Sequence, residues 1–157
     1  MKKDKFNKNY TATGMPDPDW WQSLWADPEG VMRKVGAAPG IRVVDLCCGD
    51  GYFTAPLARL VQPAEVIAVD LSPDMLRMAK EEVAASGADN VTFIEGNADD
   101  LPELVTEPVD LVIIANTFHG VPDQMEMAQS VRLVLKPGGH FVVINWYPIP
   151  REKTQVL

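Results

Sequence analysis

The sequence predicts an α/β fold built on a mainly parallel sheet, and three observations carry that prediction. Short apolar, β-branched runs at 41–46, 65–70, 91–95, 109–115 and 140–146 alternate with segments of helical periodicity. The first run breaks into a glycine-containing turn, VVDLCCGDGYFT (43–54), and resumes as an apolar helix. Acids stand at the ends of the first two runs, Asp45 and Asp70. In a right-handed βαβ unit both carboxylates then border one crevice at the C-terminal edge of the sheet, where open α/β sheets bind ligands.

Residues 1–16 are polar, lysine-rich and without periodicity, as in a flexible tail. Asp17-Pro18-Asp19 and Asp27-Pro28-Glu29 each offer a capping Asp, a Pro at the first helical position and an acid in the first turn. Two short helices are expected over 17–36. Trp20, Trp21, Leu24 and Trp25 gather on one side of the first, either packed on the domain or forming an aromatic lid over a ligand. In the turn after the first strand, Gly49 and Gly51 let the backbone bend and approach a ligand closely. The helix over 53–61 points its N-terminus at that ligand, with Pro56 tolerable in its first turn. Asp70 lies 19 residues after Gly51, a spacing at which an acid can accept from ribose hydroxyls.

The next helix has Ser72 as cap, Pro73 and Asp74 in the first turn, Leu76, Ala79 and Val83 facing the sheet, and Gly87 as terminator. The strand over 91–95 ends in the polar turn 96–99 at the ligand edge. The apolar run 109–115 reads as a central parallel strand beside the first. Asn116, Thr117, Phe118 and His119 follow it, at the same edge as the crevice. A helix over 123–135 places Ala128, Val131 and Leu135 at helical spacing, KPGG (136–139) terminates it, and 140–146 is the fifth strand. Of the two histidines only His119 falls at the ligand end, as a pocket contact or a general base; His140 begins its strand at the opposite end.

At 157 residues and 46% hydrophobic composition the chain forms one domain with a sizeable core. A net charge of −8 argues against a protein that neutralises nucleic-acid phosphates. No apolar run is long enough to span a bilayer, and MKKDKFNKNY has no apolar segment behind its basic residues, so a cytoplasmic location is expected. Cys47 and Cys48 are adjacent, a poor arrangement for a structural disulfide or a zinc site; reduced thiols and no metal are expected.

Five motifs carry a family resemblance: DLCCGDG, VDLSPDML, EGNADDLP, VDLVIIANTFHGVPD and LKPGGHFVVI. In this order they resemble the successive motifs of class I S-adenosylmethionine-dependent methyltransferases, most closely the small-molecule, ubiquinone/menaquinone-biosynthesis type, over residues 27–146. The resemblance implies a three-layer Rossmann-like fold with strand order 3-2-1-4-5 and an S-adenosyl-L-methionine-binding domain over 37–157. It implies cofactor contacts from Asp45, Cys47, Gly49 and Gly51 in the loop, from Asp70 and Leu71, from Asn97 and Ala98 at the adenine, and from Asn116. Cys47 stands where the family usually has glycine, and Asn97 where Asp is commoner. The family continues past the fifth strand with another helix and two strands, whereas only residues 147–157 follow Trp146. A sheet truncated there leaves a bare apolar edge, so homo-oligomerisation through the fifth strand is expected.

The implied activity is methyl transfer to a small-molecule acceptor by in-line displacement. The alternative is a catalytically impaired S-adenosylmethionine-binding protein acting as a regulator or complex subunit. A nicotinamide-dependent reductase is disfavoured, because Thr54 replaces the third glycine of G-x-G-x-x-G.

Overall fold

A computed structural model describes residues 22–145. The expected tail, Trp20, Trp21, Trp146 and residues 147–157 lie outside them. The described chain runs α1 (Pro28–Lys34), β1 (Val43–Leu46), α2 (Thr54–Val61), β2 (Val66–Asp70), α3 (Pro73–Ala85), β3 (Val91–Glu95), α4 (Leu101–Leu104), β4 (Val109–Ala115), α5 (Gln124–Val134) and β5 (Leu135–Ile144). All four strand pairings are parallel and the order is β3-β2-β1-β4-β5, as expected. The order reverses between β1 and β4, which opens a crevice above their C-terminal ends.

Burial follows the two-residue repeat of a strand covered on both faces. Val44 and Leu46 of β1 join Ile67, Val112, Ile114 and the α5 residues Met127, Val131 and Val134 on one side. Val43 joins Met32 of α1, Leu57 and Val61 of α2, and Leu111 and Ile113 on the other. Both strand faces are therefore apolar, which is why β1 and β4 read as near-continuous hydrophobic runs. The helix starts are local: Asp27 Oδ1 accepts from the Gly30 amide at 2.9 Å, and Ser72 Oγ from Met75 at 3.3 Å, each with Pro next in sequence. Leu76, Ala79 and Val83 are the buried residues of α3, as the periodicity indicated.

Three expectations need correction. The fifth strand does not begin at His140: α5 passes directly into β5 at Leu135, and KPGG (136–139) bulges out of the strand between the pairs Val109↔Leu135 and Leu111↔His140. The turn residues end the helix but do not end the β pairing, which resumes at His140 after an enlarged bulge. The helix over 123–135 is α5, which ends at Val134; its buried residues are Met127, Ser130, Val131 and Val134, so of the three at helical spacing only Val131 is on the buried stripe. β1 starts at Val43, because Arg42 is engaged at the foot of the sheet. Its Nε donates to Glu65 at 3.0 Å and its Nη1 to the Glu107 carbonyl at 2.8 Å. Its backbone N–H donates to Asp110, which also takes Lys136 at 3.1 Å. This clamp ties β1, β2 and β4 at the end away from the crevice.

Candidate cofactor site

The loop after β1 is shaped by three residues in the left-handed region: Cys47 (φ 58°), Gly49 (φ 59°) and Gly51 (φ 87°). Glycine enters that region freely, whereas Cys47 does so against its Cβ, at a cost of about 1–2 kcal/mol. The loop is held from β2. The Cys48 amide donates to the Val69 carbonyl at 3.1 Å and the Gly49 amide to Asp70 Oδ2 at 2.9 Å. Asp70 Oδ1 accepts from Ser72 N–H at 2.9 Å. Asp70 is thus locked in one orientation at the end of β2, each oxygen keeping acceptor capacity for a ligand.

The crevice above the strand ends is lined on one side by Cys47, Asp70 and Leu71, and beyond them by Gly96, Asn97, Ala98 and Asp99. Thr117, Val121, Pro122 and Met127 close the other side. Asn97 Oδ1 accepts from the Asp99 amide at 3.0 Å and so caps the short 3-10 turn Ala98–Asp100. The sequence reading missed Met127, whose signal was the spacing 127, 131, 134 along α5, and did not assign Val121 and Pro122.

Several predicted residues fall elsewhere. Asp45 does not border the crevice. It lies beneath the loop at 3% exposure, accepting from Thr54 Oγ1 at 2.7 Å, because its side chain is directed towards the first turn of α2. Gly51 also faces the protein: a Cβ there would stand 2.7 Å from Ala79 Cα on α3. Close packing of α3 against the loop is by itself enough to demand glycine there. Asn116 follows β4 in the left-handed region (φ 60°), donates its backbone N–H to the Ile144 carbonyl at 2.7 Å, and buries Oδ1 with no hydrogen-bond partner among the described residues. Such strain and an unsatisfied acceptor at a sheet's ligand edge are what a binding site retains. His119 is exposed in the turn Phe118–Gly120, with Nδ1 3.4 Å from Asn145 Oδ1, and is not among the crevice-lining residues. Trp25 packs edge-on against Phe53 at 5.6 Å, and its carbonyl accepts from Tyr52 Oη, so this one indole lies against the domain beside the loop.

The loop disfavours negative charge. Burial pushes Asp45 up to about 7; the Thr54 bond pulls it back, and Asp70 and Asp50 add repulsion. Burial raises Asp50 as well. The Cys47 thiol is pushed up to about 12 by burial, then by Asp70, Asp45 and Asp99, and Cys48 is raised further for the same leading reason. Both cysteines are free.

The family of methyltransferase domains matches residues 37–155 of this chain. The chain belongs to that family. This methyltransferase domain is 36% identical over 115 residues to a demethylmenaquinone methyltransferase of Lactococcus lactis, covering 73% of the chain and 45% of the relative. It is 38% identical over 118 residues to the corresponding protein of Geobacillus kaustophilus, covering 74% and 50%. It therefore spans about half the length of the curated relatives it matches. Among solved structures, a SAM-dependent methyltransferase from Aquifex aeolicus superposes with a TM-score of 0.73 at 26% identity, covering 89% of this chain and 78% of that one. The resemblance to the quinone-biosynthesis type and the three-layer Rossmann-like fold are both borne out. No helix among the described residues is long and apolar enough to cross a membrane.

Proposed function

We propose that the crevice binds S-adenosyl-L-methionine and that the chain contributes to methyl transfer onto a small, quinone-type acceptor. The observation that carries this reading is the preset carboxylate of Asp70, fixed by the Gly49 and Ser72 amides and lining the crevice at the β1/β2 strand ends. Its free lone pairs suit the two vicinal hydroxyls of a ribose. Leu71 and the Asn97–Ala98 turn then flank the adenine, and Cys47, Gly49 and Asn116 border the methionine end. Asp45 acts from beneath the loop, and Gly51 by letting the loop close on α3. The quinone-type acceptor is inferred from the names of the relatives.

Held in the crevice, S-adenosyl-L-methionine would supply a sulfonium methyl that the acceptor atom could take up as the sulfur–carbon bond breaks, its electron pair remaining on sulfur to leave the neutral thioether. Alignment supplies most of the acceleration. An acceptor that must shed a proton finds His119 as the nearest imidazole at the C-terminal end of β4. Self-association through β5 is part of the proposal: among the described residues its outer edge is unpaired, and Val143 is 38% exposed. Light scattering after size exclusion tests it, a monomer at micromolar concentration counting against it.

The activity test pairs calorimetry with a labelled-methyl screen. The expected result is binding of S-adenosylmethionine and S-adenosylhomocysteine but not NADH, and label transfer to demethylmenaquinol. Absence of binding refutes the cofactor assignment; binding without transfer to any acceptor refutes the enzymatic one.

A further inference from the structure

Asp45 is a buried carboxylate with no cation paired to it among the described residues. Among the described residues its side chain has one hydrogen-bond partner, Thr54 Oγ1 at 2.7 Å, and at 3% exposure it is withdrawn from bulk water. An ionised carboxylate in that position carries a desolvation cost that a single hydroxyl does not offset. The groups facing it make matters worse. Its own loop brings Asp50 and the thiols of Cys47 and Cys48, and β2 brings Asp70. Its register partners on β2 and β4, Ala68 and Ile113, bring no charge, and α2 brings only Thr54. Two groups tie it to the crevice: Cys47, two residues on, and Asp70, whose charge acts on it, both line that space.

We propose that Asp45 is the residue by which this crevice distinguishes the cationic cofactor from its neutral product: it gives up a proton when S-adenosylmethionine binds and recovers it once the methyl has left. The inference rests on the cofactor assignment above. S-adenosylmethionine carries a sulfonium, an ammonium and a carboxylate, a net charge of +1; S-adenosylhomocysteine lacks the sulfonium and is net neutral. A positive charge brought over the loop favours the ionised form of Asp45, and by reciprocity the ionised form favours the positive ligand. Burial pushes the carboxyl up to about 7, which brings its proton exchange into the neutral range. The sign follows. At acid pH Asp45 is neutral and adds no preference. As pH rises through the neutral range, affinity for S-adenosylmethionine tightens relative to that for the product, and the difference levels off once the empty site is itself ionised. The two thiols are pushed too high to take part.

Calorimetric titration of the full chain with each ligand, in buffers of different ionisation enthalpy between pH 5.5 and 8, counts the protons exchanged. Release of up to about half a proton per S-adenosylmethionine is expected at pH 7, with less for S-adenosylhomocysteine. The affinity ratio between them should rise about three- to tenfold across the range, the ceiling for one proton being tenfold per pH unit. Asp45→Asn should abolish both the extra release and the pH dependence of the ratio, while Asp50→Asn should keep them. Equal release for the two ligands, proton uptake, or a ratio flat with pH in the wild-type chain overturns the inference, and the wild-type arms decide it even where Asp45→Asn does not fold. Persistence of the effect in a folded Asp45→Asn variant overturns it too. Failure of either ligand to bind at any pH instead overturns the cofactor assignment on which it rests.

Discussion

Gly51→Ala tests whether the loop is constrained by the fold or by the ligand. The residue has a φ of 87°, where an L side chain costs about 1–2 kcal/mol. The new Cβ would stand 2.7 Å from Ala79 Cα, 3.0 Å from its Cβ and 3.2 Å from its carbonyl oxygen. All three atoms belong to the buried face of a 13-residue helix and cannot swing aside as a long side chain would. Overpacking of this kind adds about 1–3 kcal/mol. The total is about 2–5 kcal/mol, or roughly 5–20 °C in Tm at this chain length. Gly87 supplies the control, since its φ is 81° and no described residue lies within 4 Å of the point a Cβ would occupy. Gly87→Ala should therefore show the backbone cost alone, and Gly51→Ala should exceed it by about 1–3 kcal/mol. Urea denaturation of the three proteins without ligand makes the comparison. If Gly51→Ala loses no more stability than Gly87→Ala, or loses only cofactor affinity, the close approach of the loop to α3 is not what demands glycine there.

Asp70→Ala removes the side-chain acceptors of the Gly49 and Ser72 backbone amides as well as the proposed ribose contacts, so cofactor affinity should fall by about 2–3 kcal/mol and stability should fall with it; unchanged affinity for S-adenosylhomocysteine in calorimetry refutes the assignment. His119→Asn should lower turnover on a hydroxyl acceptor while leaving cofactor affinity intact; equal rates show that the acceptor needs no base from this turn. Asp45 makes the empty protein lose stability as pH rises from about 4 to about 7, because its folded pKa lies above the unfolded one and the folded state holds the extra proton. Asp45→Asn should remove that slope in denaturation curves taken across the range, and an unaltered slope would assign it to another group.

Much of the fold was legible in the sequence because its signals are local. Pro73 after Ser72, Pro28 after Asp27 and the apolar runs at 43–46, 66–69 and 109–115 each define an element within a few residues. The motif resemblance then supplied the strand order, and the acid at the end of the second strand marked a wall of the crevice. What the sequence left undecided depends on direction and on distant neighbours. Asp45 and Asp70 are equivalent as letters at strand ends, yet one turns under the loop to Thr54 and the other lines the crevice. Gly51 marks a tight turn in any reading, but only the packing of α3 shows that Ala79 occupies the space its side chain would need. The KPGG segment carries the composition of a helix stop and is one; that β pairing begins on its near side at Leu135 is set by Val109 on a strand more than twenty residues earlier. Local chemistry determined where elements start and stop, whereas side-chain direction and the register of non-local pairs were decided by the tertiary structure, since both depend on partners that are remote in sequence.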